Sequence, residues 1–204
     1  LRRDTPRDAT DPGSAVVAGL AALVRELTDA GTRVEAIGLT VPGIVDEHRG
    51  VGVRSTNLGW TDYPFRERAT AATGLAVAVA HDVRAAGNAE HRLGAAIGVD
   101  DAAIVTIGTG IAAALILDGR PYAGRGYAGE LGHTVVRPSG PPCLCGKIGC
   151  LEAVSSARAI ADTYRASGGR PDADAAAIVA LAGDGDPLAL RVWDEAIDAL
   201  AVGL

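Results

Sequence analysis

Apolar residues in the first part of the chain return at helical steps. Val16, Val17, Leu20, Leu23, Val24 and Leu27 lie three or four apart, behind Asp11-Pro12-Gly13-Ser14, which supplies a capping carboxylate and a proline for the first turn. The pattern predicts an amphipathic helix that stops near Gly31. Arg33 to Val41 then reads as a buried strand closed by Pro42-Gly43, and Gly50 to Val53 and Ser55 to Trp60 as turns and short extended pieces. A helix is expected over Phe65 to Thr73, and a second buried strand over Leu75 to Ala80 delivers His81 and Asp82 at its carboxyl end. The next helix, Val83 to Ala96, carries Ala85, Ala86, Ala89, Leu93 and Ala96 on a narrow face that permits close packing. Ala102 to Ile107 and Ile111 to Asp118 read as a hairpin with Gly108-Thr109-Gly110 at its tip and Asp118-Gly119 at its end. A glycine-rich loop, Gly124 to Gly132, and a cysteine-bearing stretch lead to helical patterns over Ser155 to Ala166, Asp174 to Ala182 and from Pro187 onward.

Strands alternating with helices predict an α/β protein, divided into two lobes that meet near residues 81 to 83. The lobes are 1–81 and 82–204. Composition agrees: 48% of the 204 residues are hydrophobic but only 3% aromatic, with no Met, which suits helices laid on sheets of small branched side chains. A net charge of -6 offers no general attraction to nucleic acid or anionic membrane. No apolar run approaches the roughly 18 residues a membrane span needs, and LRRDTPRD at the start is followed by no signal-peptide core. The expected compartment is the cytoplasm. Three cysteines crowded into positions 143 to 150 also fit metal ligation in a reducing compartment better than a disulfide framework.

The stretch Gly129 to Glu152 carries the most chemistry. His133, Cys143, Cys145 and Cys150 offer one imidazole and three thiolates, a full tetrahedral shell for a structural Zn²⁺. The plainer alternative, cysteines as small core residues, sits poorly with the surrounding Pro138, Pro141, Pro142, Gly146 and Gly149. Glu130 and Glu152 flank the set, and two carboxylates with a histidine suit a sugar, whose hydroxyls need acceptors and fixed donors. If one ring nitrogen of His133 binds zinc, the other must carry the proton and becomes a permanent donor. Asp82, at a strand's carboxyl end, has two readings. It is a helix N-cap, or a general base that takes the proton of a hydroxyl attacking phosphorus. Gly108-Thr109-Gly110 is likewise either a hairpin turn or a loop whose amides and Thr hydroxyl approach a phosphate.

Taken together these residues resemble the ROK family (repressor, open reading frame, kinase), whose enzymes are sugar kinases of the actin-like ATPase (ribonuclease H-like) fold, two lobes with a cleft and a zinc-containing loop. The resemblance rests first on Gly129-Glu130-Leu131-Gly132-His133 and on Cys143-Leu144-Cys145-Gly146-Lys147-Ile148-Gly149-Cys150-Leu151-Glu152. Val41-Pro42-Gly43, Asn57-Leu58 with Trp60, Asp82 and Gly108-Thr109-Gly110 extend it over nearly the whole chain. It implies that Asp82 is the general base toward a hexose 6-hydroxyl and that Glu130, His133 and Glu152 hold sugar hydroxyls, with His133 shared between zinc and sugar. Thr56, Asn57 and His81 would approach the sugar from the first lobe. Gly108, Thr109 and Gly110 would face the phosphates of ATP, which Mg²⁺ accompanies, and the protein would be a homo-oligomer, dimer or tetramer.

Three departures shape the expectation. His81 stands where the family has Asn before the catalytic Asp, and Ala112-Ala113-Ala114 stand where more glycine usually follows the turn. The family's opening Asp-x-Gly-Gly-Thr hairpin and its late glycine-rich adenosine loop are not in these residues, so the chain reads as part of a larger protein cut at both ends. An ATP-dependent sugar kinase, glucokinase-like, is the leading reading. A sugar-sensing half of a ROK repressor, with nucleic acid as a partner only if DNA-binding helices precede Leu1, and a non-catalytic sugar-binding relative are the alternatives.

Overall fold

A computed structural model describes residues 1, 3–6 and 10–204 of the chain. It packs as two units, one formed by Leu1–Gly98 with Pro121–Tyr127 and the other by Val99–Arg120 with Ala128–Leu204.

The first unit opens with α1 (Pro12–Asp29), capped as expected: the Asp11 carboxylate accepts the Ser14 N–H at 3.0 Å. Val17 and Ala21 are buried, whereas Leu27 at the end of the stripe is exposed. β1 (Ala36–Val41) starts later than the expected Arg33, because Arg33 and Glu35 form an exposed ion pair at 3.3 Å outside the ladder. The segment read as turns and short pieces is a small antiparallel sheet of β2 (Ile44–Asp46), β3 (Val51–Arg54) and β4 (Thr61–Tyr63), in that order. α2 (Phe65–Thr73) follows, and its Phe65 is fully buried with Trp60 edge-on to it at 5.0 Å between centroids. β5 (Ala76–His81) pairs in parallel with β1, from Ala36 opposite Ala76 to Val41 opposite His81.

β5 runs without a gap into α3 (Asp82–Leu93). The helix stops before the expected Ala96, because Glu90 ends it: its carbonyl accepts the Gly94 and Ala96 N–H groups at 3.0 and 3.1 Å, and its carboxylate accepts that of Ala95 at 2.9 Å. α3 packs on β1 and β5, so it belongs to the first unit, and the break in packing comes at Gly98–Val99. Its Arg84 is buried, an unusual place for a guanidinium. Nε donates to Glu47 Oε1 at 2.9 Å, Nη1 to the Gly126 carbonyl at 3.2 Å and Nη2 to the Val45 carbonyl at 3.2 Å.

In the second unit β6 (Ala102–Ile107) and β7 (Ile111–Leu117) form the expected hairpin, with Ala102 opposite Ile116 and Ile107 opposite Ile111. The short β8 (Arg120–Tyr122) leads to a 3-10 turn at Gly124–Gly126, which belongs to the first unit, and the chain returns to the second with another at Leu131–His133. The helix expected from Ser155 is two helices, α4 (Leu151–Ser155) and α5 (Ala157–Ala166), because Ser156 is extended and caps the second by accepting the Ala159 N–H at 3.1 Å. α6 (Ala175–Gly183) and α7 (Pro187–Gly203) are capped in the same way by Asp174 and Asp186, at 2.8 and 2.7 Å. Ile160, Tyr164, Ile178, Val192 and Ala196 join α5, α6 and α7 in one core. The buried Ser155 hydroxyl ties α4 to α7 through the Ala196 carbonyl at 2.8 Å. Among the described residues no helix is long and apolar enough to cross a membrane.

Removing the Arg84 guanidinium takes the donor from two carbonyls and leaves Glu47 only the His81 N–H. Arg84→Met should lower unfolding stability by about 3 kcal/mol in urea titration, well above the change expected for an exposed arginine such as Arg33.

Candidate functional site

The cysteine loop is built from tight local turns. The Cys143 N–H donates to the Lys147 carbonyl at 2.8 Å and the Gly146 N–H to the Cys143 carbonyl at 2.9 Å, which brings Cys143 and Cys145 to one side of the turn. Gly149 then returns the chain: its φ is 73°, and its carbonyl accepts both the Val136 and Arg137 N–H groups, at 2.9 and 3.1 Å. A Cβ at Gly149 would overlap the Arg137 carbonyl, so both its conformation and its space require glycine. Cys150, the residue before α4, is fully buried, and His133 arrives from the second 3-10 turn.

These elements bring together the four residues expected to hold a metal. The ligand atoms of His133, Cys143, Cys145 and Cys150 all lie within 4.8 Å of one another. Cys143 Sγ is 3.6 Å from His133 Nδ1, and Cys145 Sγ is 3.6 Å from Cys150 Sγ. With Zn–S about 2.3 Å and Zn–N about 2.0 Å, a tetrahedral shell spaces its ligand atoms about 3.5–3.8 Å apart. The observed spacing is that of a shell and far beyond a bonded S–S distance of about 2.05 Å. Burial pushes the Cys143 thiol up, and burial together with the neighbouring thiols pushes Cys150 up to about 12. For Cys145 burial acts upward too, but the Lys147 N–H and the other two thiols outweigh it and hold the group below its ordinary value. A divalent cation among the sulfurs would supply the charge that three adjacent thiolates, two of them buried, require. The donor set fits Zn²⁺, and four protein ligands fill its shell.

His133 turns its two nitrogens to different neighbours. Nδ1 faces the sulfurs, and Nε2 lies 3.9 Å from Glu130 Oε2. Glu152 is fixed from another side: its Oε2 accepts the Ile111 N–H at 2.9 Å, and its Cβ lies against Gly132 within the 3-10 turn that carries His133. Glu130, His133 and Glu152 therefore surround the cysteine loop as half-buried polar groups.

Gly108-Thr109-Gly110 is the tip of the β6–β7 hairpin. The Gly108 N–H is taken by the Gly110 carbonyl at 2.9 Å, the Gly108 carbonyl accepts the Ala157 N–H at 2.9 Å, and a Cβ on Gly110 would run into the Glu152 carboxylate. The turn is thereby tied to α5 and to Glu152, with Thr109 exposed. Thr56 and Asn57 are exposed in a turn of the first unit, closed below by the buried Ser55, whose carbonyl accepts the Gly59 N–H at 2.8 Å.

At the junction of β5 and α3 the capping residue is His81 and not Asp82. His81 Nδ1 accepts the Arg84 N–H at 3.3 Å, which makes Asp82 the first helical residue. Asp82 Oδ1 accepts the Val83 N–H at 2.8 Å and lies 3.4 Å from His81 Nε2, and the Asp82 side chain is 45% exposed. Glu47 supports the junction from β2's exit: its Oε1 accepts the His81 N–H at 3.0 Å as well as the Arg84 guanidinium. Burial, aided by Arg84, holds His81 below the ordinary histidine range, against the opposing pull of Asp82 and Glu47. Glu47 and Arg84 are not singled out by motif. The signal for Arg84 is its place three residues before Gly87 on the buried face of α3.

Two outcomes follow from this geometry. Elemental analysis of the purified protein should find about one Zn²⁺ per chain, and stripping it with a chelator should lower the thermal midpoint; a metal-free protein of unchanged midpoint would contradict the centre. His81 is neutral when folded, with its pKa depressed below the ordinary 6.5. Its contribution to stability is present above pH 6.5 and is lost as pH falls through the folded value. Denaturant titrations across that range should show a shallower loss for His81→Asn, which keeps a cap acceptor but does not titrate.

The comparisons with known proteins agree with one another. The ROK family model matches residues 1–204. The chain is 35% identical to a glucokinase from Thermotoga maritima over 201 residues, covering 91% of this chain and 63% of the relative. It is 35% identical to an N-acetylmannosamine kinase from Citrobacter koseri over 202 residues, covering 98% and 68%. It thus spans about three fifths to two thirds of the length of these curated relatives. Among solved structures, a ROK family glucokinase from Streptomyces griseus in complex with glucose and AMPPNP superposes with a TM-score of 0.83 at 30% identity, over 100% of this chain and 69% of that one. A ROK family transcriptional regulator, a homologue of the E. coli MLC protein, does so with a TM-score of 0.78 at 33% identity, over 96% and 52%. With its α/β architecture matched to ROK kinases of the actin-like ATPase fold, the chain belongs to the ROK family.

Proposed function

We propose that the protein carrying this chain is an ATP-dependent kinase that phosphorylates a hexose, glucose or a related sugar, at its 6-hydroxyl in the cytoplasm. The observation that carries the reading is the divided environment of His133, with Nδ1 3.6 Å from Cys143 Sγ and Nε2 3.9 Å from Glu130 Oε2. Bound by His133, Cys143, Cys145 and Cys150, Zn²⁺ supplies a rigid positive centre that keeps the Nδ1 lone pair engaged. His133 then presents Nε2–H as a fixed donor, and Glu130 and Glu152 present acceptors, a set matched to adjacent sugar hydroxyls. The identities of the kinase relatives, glucokinase and N-acetylmannosamine kinase, support the substrate class.

Asp82 is the general base in this reading. Its carboxylate is open to solvent at a strand's carboxyl end, where a hydroxyl can reach it. The hydroxyl proton passes to an Asp82 oxygen as the hydroxyl oxygen bonds to the γ-phosphorus of ATP, and the bond from that phosphorus to the β-phosphate oxygen breaks to release ADP. Thr56 and Asn57 are assigned to the sugar side, Gly108, Thr109 and Gly110 to the phosphates, and Mg²⁺ travels with ATP as part of that substrate.

The likeness to the transcriptional regulator supports a second reading, a sugar sensor whose pocket binds without phosphotransfer. Coupled ADP release by the full-length gene product, with glucose and N-acetylmannosamine as acceptors, separates the two. The kinase reading predicts sugar-dependent turnover that Asp82→Ala lowers by about 10²–10⁴-fold. Sugar binding without turnover would establish the sensor instead.

A further inference from the structure

The residue that departs most clearly from the family pattern, His81, is also the one whose surroundings are most fully determined. We propose that His81 is a positioning residue for Asp82 and not a sugar ligand: its ring is locked in the Nε2–H tautomer and holds Asp82 so that Oδ2 is the oxygen that accepts the substrate proton. The proposal rests on the reading of Asp82 as general base.

Four observations carry it. The His81 ring is buried, 5% exposed, whereas the Asp82 side chain beside it is 45% exposed, so a sugar can reach Asp82 far more readily than His81. Nδ1 accepts the Arg84 N–H at 3.3 Å; in a neutral imidazole an accepting nitrogen carries no hydrogen, and the proton must sit on Nε2. Nε2 lies 3.4 Å from Asp82 Oδ1, which also receives the Val83 N–H at 2.8 Å. The Val83 N–H bonds that oxygen and the imidazole edge stands beside it, so both bear on Oδ1 and leave Oδ2 to take the incoming hydrogen bond.

The backbone under the ring is held as tightly. His81 is the last residue of β5, in register with Val41, and its N–H donates to Glu47 Oε1 at 3.0 Å. That same oxygen accepts Arg84 Nε at 2.9 Å, while Nη1 and Nη2 each donate to a backbone carbonyl, of Gly126 and Val45. The charged groups around the ring are therefore Asp82, Arg84 and Glu47, and each has a partner in the junction. A histidine so placed cannot rotate toward a ligand without giving up the helix cap. It acts by holding its neighbour.

Steady-state kinetics of the full-length protein and imidazole NMR of this chain test the proposal together. His81→Thr keeps a side-chain oxygen for the Arg84 N–H but removes the imidazole edge that stands beside Oδ1. Its kcat should fall about tenfold while the sugar KM stays within about twofold and the thermal midpoint is unchanged. His81→Asn, which offers both a cap acceptor and an amide donor, should recover kcat to within about threefold. With Asp82→Ala as control, the two claims part: turnover indifferent to that change would sink the base and this inference with it. If Asp82→Ala abolishes turnover while His81→Thr keeps kcat, or raises only the sugar KM, the positioning role is wrong and the base stands. Nitrogen-15 spectra should show His81 protonated at Nε2 and bare at Nδ1, with the Nε2 signal shifted by Asp82→Asn. An Nδ1-protonated ring would overturn the proposal whatever the kinetics.

Discussion

The cysteine loop of the second unit is organised around four ligand atoms that meet at one point. His133 comes from a 3-10 turn after the β6–β7 hairpin, Cys143 and Cys145 from the tip of a loop, and Cys150 from the entry to α4, whose Leu151 is buried against Ile111 and Ala199. Two pairs of these atoms stand 3.6 Å apart and all four lie within 4.8 Å, the spacing from which a metal would fix orientation as well as position. Its consequence reaches outward through His133. One nitrogen serves the cluster, so the other, and Glu130 and Glu152 with it, acquire defined directions. In the proposed reading, a structural metal bound there would shape binding chemistry without touching the ligand.

The first unit solves the same problem with a guanidinium. Buried Arg84 gathers Glu47 and the carbonyls of Val45 and Gly126, while its own N–H is capped by His81. Three chain segments far apart in sequence are pinned beneath the strand end that carries Asp82. Burying a guanidinium is unfavourable unless acceptors meet it, and here a carboxylate and two backbone carbonyls do so. Each unit thus has a polar nucleus that orders the exposed groups around it, one built on metal-ligating sulfur and imidazole, the other on an arginine.

What was legible from sequence divides along a physical line. Features set by local pattern were readable: the stripe and cap of α1, the α2 span, the hairpin around Gly108 to Gly110, the helical stretches of α6 and α7, and the metal set, whose four residues are chemically distinctive wherever they fall. Features set by distant partners were not. The sheet of β2, β3 and β4 has strands of three or four residues, too short for a clear alternation. Arg84 looks like any polar residue on a helix until Glu47, Val45 and Gly126 arrive from elsewhere. Asp82 held the favoured residue type for a cap, yet His81 took the role, because β5 ends one residue earlier than a capping Asp82 would require. The split of the expected helix at Ser156 had a signal in its serine pair, Ser155 and Ser156, but only packing of α4 on α7 makes the break worthwhile.

The central claim is that the metal centre sets the groups that hold the sugar, and calorimetric titration of glucose and N-acetylmannosamine into the wild-type protein and Cys145→Ser, with zinc content measured on each sample, tests it most directly. Cys145 Sγ lies in the ligand cluster, opposite Cys150 Sγ at 3.6 Å, so its loss should act on sugar only through His133, Glu130 and Glu152. The account predicts that Cys145→Ser lowers zinc content and weakens the preferred sugar by about tenfold or more. Sugar affinity that is unchanged in a folded, zinc-depleted variant would contradict it.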